Sequence, residues 1–258
     1  MTNPHGSFIW YELLTSDPDA AANFYGKVIG WAARSADQAG VDYRLFSANG
    51  TDIGGHMKLP EEAKAAGSRP QWLGYIGVDD VDAAAASVMA AGGTTFMPAM
   101  DMEGVGRMAM LADPQGAPFY VMRGASDEPS TSFSADASGH CRWNELQTSD
   151  PAAALAFYTA LAGWEKGDAM PMGEMGDYQF INHDGGMIGA VMPKPAEAGR
   201  PQWFFYFGVE DIDAAAAQIS ENGGTVRDGP MEIPGGEYAV VADDPQGARF
   251  GVVGPRVS

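Results

Sequence analysis

The sequence predicts an α+β fold: four βαβββ modules arranged as two tandem domains. Three observations carry this reading. Residues 10–31, WYELLTSDPDAAANFYGKVIGW, return at 143–164 as WNELQTSDPAAALAFYTALAGW, with 13 of 22 positions identical at an offset of 133. Three later segments return at an offset of 131: Arg69-Pro70-Gln71-Trp72 as Arg200-Pro201-Gln202-Trp203, Gly77-Val78-Asp79-Asp80 as Gly208-Val209-Glu210-Asp211, and Asp113-Pro114-Gln115-Gly116 as Asp244-Pro245-Gln246-Gly247. Between the copies lies GASDEPSTSFSADASG, a linker by its Ser, Ala, Asp and Gly content. A period near 130 residues is too long for stacked solenoid units and reads as a duplicated domain. The expected division is a first domain at 1–123, a linker at 124–139 and a second domain at 140–258.

The elements follow in order. Phe8 to Leu14 alternates apolar and polar residues, the period of a strand. Asp17 suits an N-cap, because its carboxylate accepts orphan backbone N–H groups, and Pro18 suits the first helical position. Ala21, Phe24, Tyr25 and Val28 then fall on one helical face, and Gly30 ends the run. Val41 to Ser47 and Asp52 to Lys58 read as strands around Asn49-Gly50, a hairpin signal that returns as Asp184-Gly185. Residues 60–70 read as a polar loop. Trp72 to Val78 is a strand, and Asp80 caps a second Ala-rich helix that stops at Gly92-Gly93. Thr94 to Met97, Arg107 to Ala112 and Pro118 to Met122 complete the first domain as strands.

Composition bounds the function. Of 258 residues 45% are hydrophobic, enough for a packed core. The formal net charge of −19 excludes a phosphate-binding basic face and disfavours anionic membrane surfaces. The expected partners are therefore a small molecule, with no nucleic acid and no membrane, in a monomer or homodimer. A single cysteine, Cys141, allows no intrachain disulfide and no thiolate metal cluster, which suits a reducing cytoplasm. MTNPHGSF lacks the basic and apolar regions of a signal peptide. There is no Gly-rich phosphate loop leading into a helix and no G-x-S-x-G elbow.

The motifs Asp17-Pro18…Phe24-Tyr25…Gly30-Trp31, Val78-Asp79-Asp80-Val81-Asp82 and Asp113-Pro114-Gln115-Gly116, each with its second copy, resemble the vicinal oxygen chelate superfamily. That superfamily includes glyoxalase I, bleomycin-resistance proteins and extradiol dioxygenases. The likeness spans both repeats and is strongest to two-domain bacterial glyoxalase-like proteins. It implies cup-shaped mixed sheets with the ligand in the cup.

The resemblance also implies a test for a metal. Members with metal-dependent chemistry hold a divalent ion on a few fixed ligands and leave positions open for substrate oxygens. Carried over by spacing, the first ligand position falls on Trp10 and Trp143, the second on Leu73 and Phe204, and the third on Tyr120 and Gly251. None is an ordinary ligand. The expectation is no cofactor, with a non-standard divalent site on Glu12 and His56 as the alternative.

Alternation sets what remains in the cups. If Trp10 faces inward, so does Glu12, while Ile9, Tyr11 and Leu13 face the helices; Trp143 and Glu145 follow suit. Glu12 and Glu145 are the candidates for a general base or a ligand anchor. Trp10, Glu12, His56, Tyr75, Tyr120, Trp143, Glu145 and Tyr206 are the candidate ligand-binding residues. Besides a structural or interaction role with the cups filled by their own side chains, two functions are weighed. One is metal-free binding of a small organic molecule, for sequestration or resistance. The other is a lyase or oxidoreductase that uses Glu12 or Glu145 as base, or an unusual metal.

Overall fold

A computed structural model describes residues 3–36, 41–196 and 199–257. The first module contains strand β1 (Phe8–Thr15), helix α1 (Pro18–Val28), β2 (Ala32–Ser35), β3 (Tyr43–Ala48) and β4 (Thr51–Lys58), followed by a short helix α2 (Glu61–Ala65). The second contains β5 (Gln71–Gly77), α3 (Val81–Ala90), β6 (Thr94–Met102), β7 (Gly106–Ala112) and β8 (Pro118–Gly124). The third contains β9 (Cys141–Thr148), α4 (Pro151–Ala162), β10 (Glu165–Pro171), β11 (Asp177–His183) and β12 (Gly186–Pro193). The fourth contains β13 (Gln202–Gly208), α5 (Ile212–Glu221), β14 (Thr225–Glu232), β15 (Tyr238–Asp243) and β16 (Arg249–Gly254).

Local chemistry explains the boundaries. Asp17, Asp80 and Asp150 each accept the backbone N–H three residues on, and Asp211 accepts that of Asp213, so each major helix begins on an aspartate cap. Asn49 and Asp184 take positive φ with Gly50 and Gly185 following, the turn that two-residue hairpins prefer. Three elements differ from the sequence reading. Strand β2 lies at Ala32–Ser35, where four exposed residues carry no alternation to reveal it. Helix α2 occupies part of the expected polar loop and buries none of its residues. Strand β6 runs to Met102, past Pro98, because an outermost strand tolerates a missing donor and the pairing with β7 shifts register around it.

The strands form two eight-stranded mixed sheets, one per repeat, in the orders β2-β3-β4-β1-β5-β8-β7-β6 and β10-β11-β12-β9-β13-β16-β15-β14. By packing, the chain divides differently. One compact unit comprises Met1–Ile9, Leu73–Ser130 and Trp143–Phe204; the other comprises Trp10–Trp72, Thr131–Arg142 and Phe205–Ser258. The first unit therefore holds the second and third modules, and the other holds the first and fourth.

Each unit is closed by the same buried chain of hydrogen bonds. In the first, the Trp203 indole donates to the Tyr158 hydroxyl at 3.1 Å, and Tyr158 donates to the Asp113 carboxylate at 3.2 Å. In the other, Trp72 donates to Tyr25 at 2.9 Å and Tyr25 to Asp244 at 3.1 Å. The second carboxylate oxygen of Asp113 accepts from the backbone of Gln115 and Ala117, and that of Asp244 from Gln246 and Ala248. Burial pushes both carboxyl pKa values up, and these donors oppose the shift. The helix tyrosine of one repeat thus meets the D-P-Q-G turn of the other. No described helix is long and apolar enough to cross a membrane.

Candidate functional site

Strand β9 presents Trp143, Glu145 and Gln147 on one face, because alternate residues share a side. Strand β12 lies between β9 and β11, with Ala190 opposite Glu145 on one side and opposite Phe180 on the other. Ala190 is small, so a side chain from β11 can reach across it to β9. Tyr178 does so. The Trp143 indole donates to the Tyr178 hydroxyl at 2.7 Å, and that hydroxyl donates to Oε2 of Glu145 at 2.7 Å. The Gln147 side-chain amide donates to Oε1 of Glu145 at 2.9 Å. Phe180 packs edge-on against Trp143 at 5.9 Å and against Tyr178 at 5.7 Å between ring centroids. Glu145 is buried, whereas Trp143, Gln147, Tyr178 and Phe180 are half-exposed. The arrangement is an aromatic surface around an anchored carboxylate.

The first repeat builds a related station on β1. The Trp10 indole donates to the Tyr43 hydroxyl at 2.9 Å. Glu12 is buried and lies opposite Gly55 on β4, and Leu45 on β3 lies opposite Gly55 on its other side. A methyl group on Gly55 would run into the Tyr43 hydroxyl, so glycine is what lets this tyrosine lie down on the sheet. Leu14 and Leu45 stand where the other repeat has Gln147 and Phe180.

The remaining sequence-predicted residues fall elsewhere. Tyr75 and Tyr120 are directly paired on β5 and β8, and their rings stack at 4.2 Å with an 11° interplanar angle. Tyr206 is paired with Gly251, and its ring lies over the glycine so closely that no side chain fits there. His56 is opposite Leu13 rather than Glu12, so the structure does not bring His56 and Glu12 to one face. It stacks on Phe46 at 4.1 Å, fully buried. Among the described residues neither ring nitrogen has a hydrogen-bond partner. Burial, reinforced by the nearby Arg44 guanidinium, lowers its pKa to about 4. A non-standard site on Glu12 and His56 therefore has no shared face to occupy.

The inferred ligand positions do not fit a divalent ion. Trp10 and Trp143 spend their indole N–H groups on tyrosines. Leu73 and Phe204 are buried apolar side chains. Tyr120 is stacked on Tyr75 and Gly251 is covered by Tyr206. Among the described residues no three His, Cys, Asp or Glu side chains group in a metal-binding arrangement.

Tyr43, Tyr178, Gln147 and Phe180 are the site residues that the sequence reading missed. A signal for the tyrosines was present: Asp42-Tyr43 returns as Asp177-Tyr178 ahead of each hairpin, at an offset of 135. Gln147 and Phe180 had no such signal, because they differ between the repeats.

Comparison with known proteins agrees with this architecture. The profile of the Glyoxalase/Bleomycin resistance protein/Dioxygenase superfamily matches residues 7–121 and again residues 138–252. A protein of Mycobacterium tuberculosis (strain CDC 1551 / Oshkosh), named "Putative glyoxylase CFP32", is 35% identical over 249 residues, covering 95% of this chain and 94% of that protein. The anthracycline biosynthesis protein DauV of Streptomyces sp. (strain C5) is 33% identical over 259 residues, covering 96% and 93%. Among solved structures, the Mn(II)-bound glyoxalase from Novosphingobium aromaticivorans superposes with a TM-score of 0.62 at 19% identity, covering 98% of this chain and 82% of that one. At that identity the likeness speaks for the fold alone. With its sequence profile matched once in each repeat, the chain belongs to the Glyoxalase/Bleomycin resistance protein/Dioxygenase superfamily.

Proposed function

We propose that the protein binds a small organic molecule against the Trp–Glu–Tyr stations of its sheets, without the divalent ion of its metal-dependent relatives, and that sequestration is the use of that binding. The carrying observation is the pair Trp143–Tyr178 with Glu145 anchored between Tyr178 and Gln147, at a place where an enzyme of this superfamily would need a metal ligand. An aromatic surface with a few convergent polar groups is the usual character of a small-molecule site. A relative named for anthracycline biosynthesis is consistent with small-molecule chemistry. The lone, buried Cys141 suits a reducing, cytoplasmic setting.

Two measurements test this. Protein purified without chelators and analysed by elemental mass spectrometry is expected to hold far less than one divalent ion per chain. A thermal-shift screen of small organic metabolites is expected to find compounds that raise Tm. A stoichiometric ion overturns the metal-free part, and a broad screen without a stabilising compound overturns the binding part.

A further inference from the structure

The two stations differ at positions that face a ligand, and the difference identifies a ligand class. We propose that the second-repeat station takes a flat aromatic molecule that carries a hydrogen-bond donor, and that Gln147 is the residue that selects for the donor. The inference rests on the small-molecule reading of this station and adds the chemistry of the ligand.

The orientation of Gln147 carries the argument. Its side chain is bonded to Oε1 of Glu145 at 2.9 Å. A carboxylate only accepts hydrogen bonds, so the Gln147 amide must turn its NH2 group toward Glu145 and its carbonyl away. Gln147 is half-exposed, and among the described residues no donor is bonded to its carbonyl oxygen. The result is a neutral acceptor held in one orientation by a buried acid. Glu145 is in turn held by Tyr178, which is itself oriented by Trp143, so the acceptor stands on a connected support.

The aromatic surface supplies the other half. Phe180 packs against both Trp143 and Tyr178, which are bonded to each other, and all three residues are half-exposed. Such rigid surfaces bind planar rings with little loss of side-chain freedom. A donor on the ligand's rim then reaches the Gln147 carbonyl. In the first repeat Leu45 replaces Phe180 and Leu14 replaces Gln147, so one ring and the amide acceptor are both gone. Leu14 is also buried, whereas Gln147 is not. The same strand positions thus offer a donor-selective surface in one repeat and an apolar one in the other.

The test uses 6-hydroxyquinoline and 6-methoxyquinoline, which share a flat bicyclic ring and differ in the donor. Calorimetric titration of the intact chain is expected to show the hydroxyl compound binding about three- to tenfold tighter, the effect of one neutral hydrogen bond. Gln147→Leu, which copies the first repeat, is expected to erase that ratio. Phe180→Leu is expected to weaken both compounds alike, and Leu14→Gln to leave the ratio unchanged. If neither compound binds, or if Gln147→Leu leaves the ratio intact, the assignment is overturned. Equal binding of both compounds that is lost in Trp143→Ala overturns the role of Gln147 and leaves the small-molecule reading standing. Failure of the metabolite screen is a separate result that removes that reading itself.

Discussion

Trp10 and Trp143 each donate to a tyrosine, Tyr43 and Tyr178, at 2.9 and 2.7 Å, yet the strand beneath each tyrosine differs. Tyr43 lies over a strand that offers Gly55, and Tyr178 reaches Glu145 from the far side of a strand that offers Ala190. The neighbouring positions have diverged as well, to Leu14 and Leu45 in one repeat and Gln147 and Phe180 in the other. The buried Trp–Tyr–Asp chains show no such drift: Trp72, Tyr25 and Asp244 match Trp203, Tyr158 and Asp113 almost bond for bond. The contrast teaches where a duplicated domain is free to change. A buried hydrogen-bonded chain leaves unpaired polar groups behind if any member is altered, while a half-exposed station allows each copy its own chemistry.

The largest expected effect tests the conserved part of that contrast. Tyr158→Phe strands the Trp203 indole N–H and one Asp113 oxygen, and Tyr25→Phe does the same to Trp72 and Asp244. Each substitution should cost about 3 kcal/mol, because a buried polar group without a partner costs about 1–3 kcal/mol. Urea unfolding of both variants measures this. Clearly unequal losses would break the equivalence of the two units.

A smaller effect separates the repeats by pH. His56 is neutral in the folded protein with a pKa of about 4, against 6.5 for the free side chain. Below pH 6.5 the unfolded chain takes up a proton that the folded chain refuses. Stability from this group is therefore fully present above pH 6.5 and is lost as pH falls toward 4, by about 2 kcal/mol at pH 5. The second repeat has Val191 at this position. Denaturant midpoints at pH 7.5 and pH 5 should converge in His56→Val by about that amount relative to the unaltered protein. An unchanged pH response would show that His56 is not the group responsible.

The smallest effect sharpens the view of the station floor. Gly55→Ala should cost about 1 kcal/mol, because the new methyl meets the end of the Tyr43 side chain and overpacking forces that ring to move. In a Tyr43→Ala background the same change should cost almost nothing. A double-mutant cycle without coupling would show that Tyr43 adjusts freely.

Much of the molecule was legible in one dimension. Asp17-Pro18, Asn49-Gly50 and the i, i+3, i+4, i+7 face of Ala21, Phe24, Tyr25 and Val28 are local signals, and local signals set where helices and hairpins begin and end. Strand β2 escaped because its four residues are all exposed and nothing in their order marks a buried face. The Trp–Glu pairing on one strand face followed from alternation and is present in both repeats. The tyrosines over that face did not, because Tyr43 and Tyr178 arrive from two strands away across Gly55 and Ala190.

The sequence alone determined the duplicated architecture, the capped helices and the residue types at the inferred ligand positions, since these depend on neighbours along the chain and on comparison of the two copies. Only the tertiary structure decided that Tyr25 closes on Asp244 and Tyr158 on Asp113, that His56 packs on Phe46 rather than beside Glu12, and that Gln147 steadies Glu145. The first are contacts between segments far apart along the chain, and the second depends on the register that puts His56 and Glu12 on opposite faces of one sheet. The third is local in sequence, but the direction of its hydrogen bond depends on which partners the fold brings to the carboxylate.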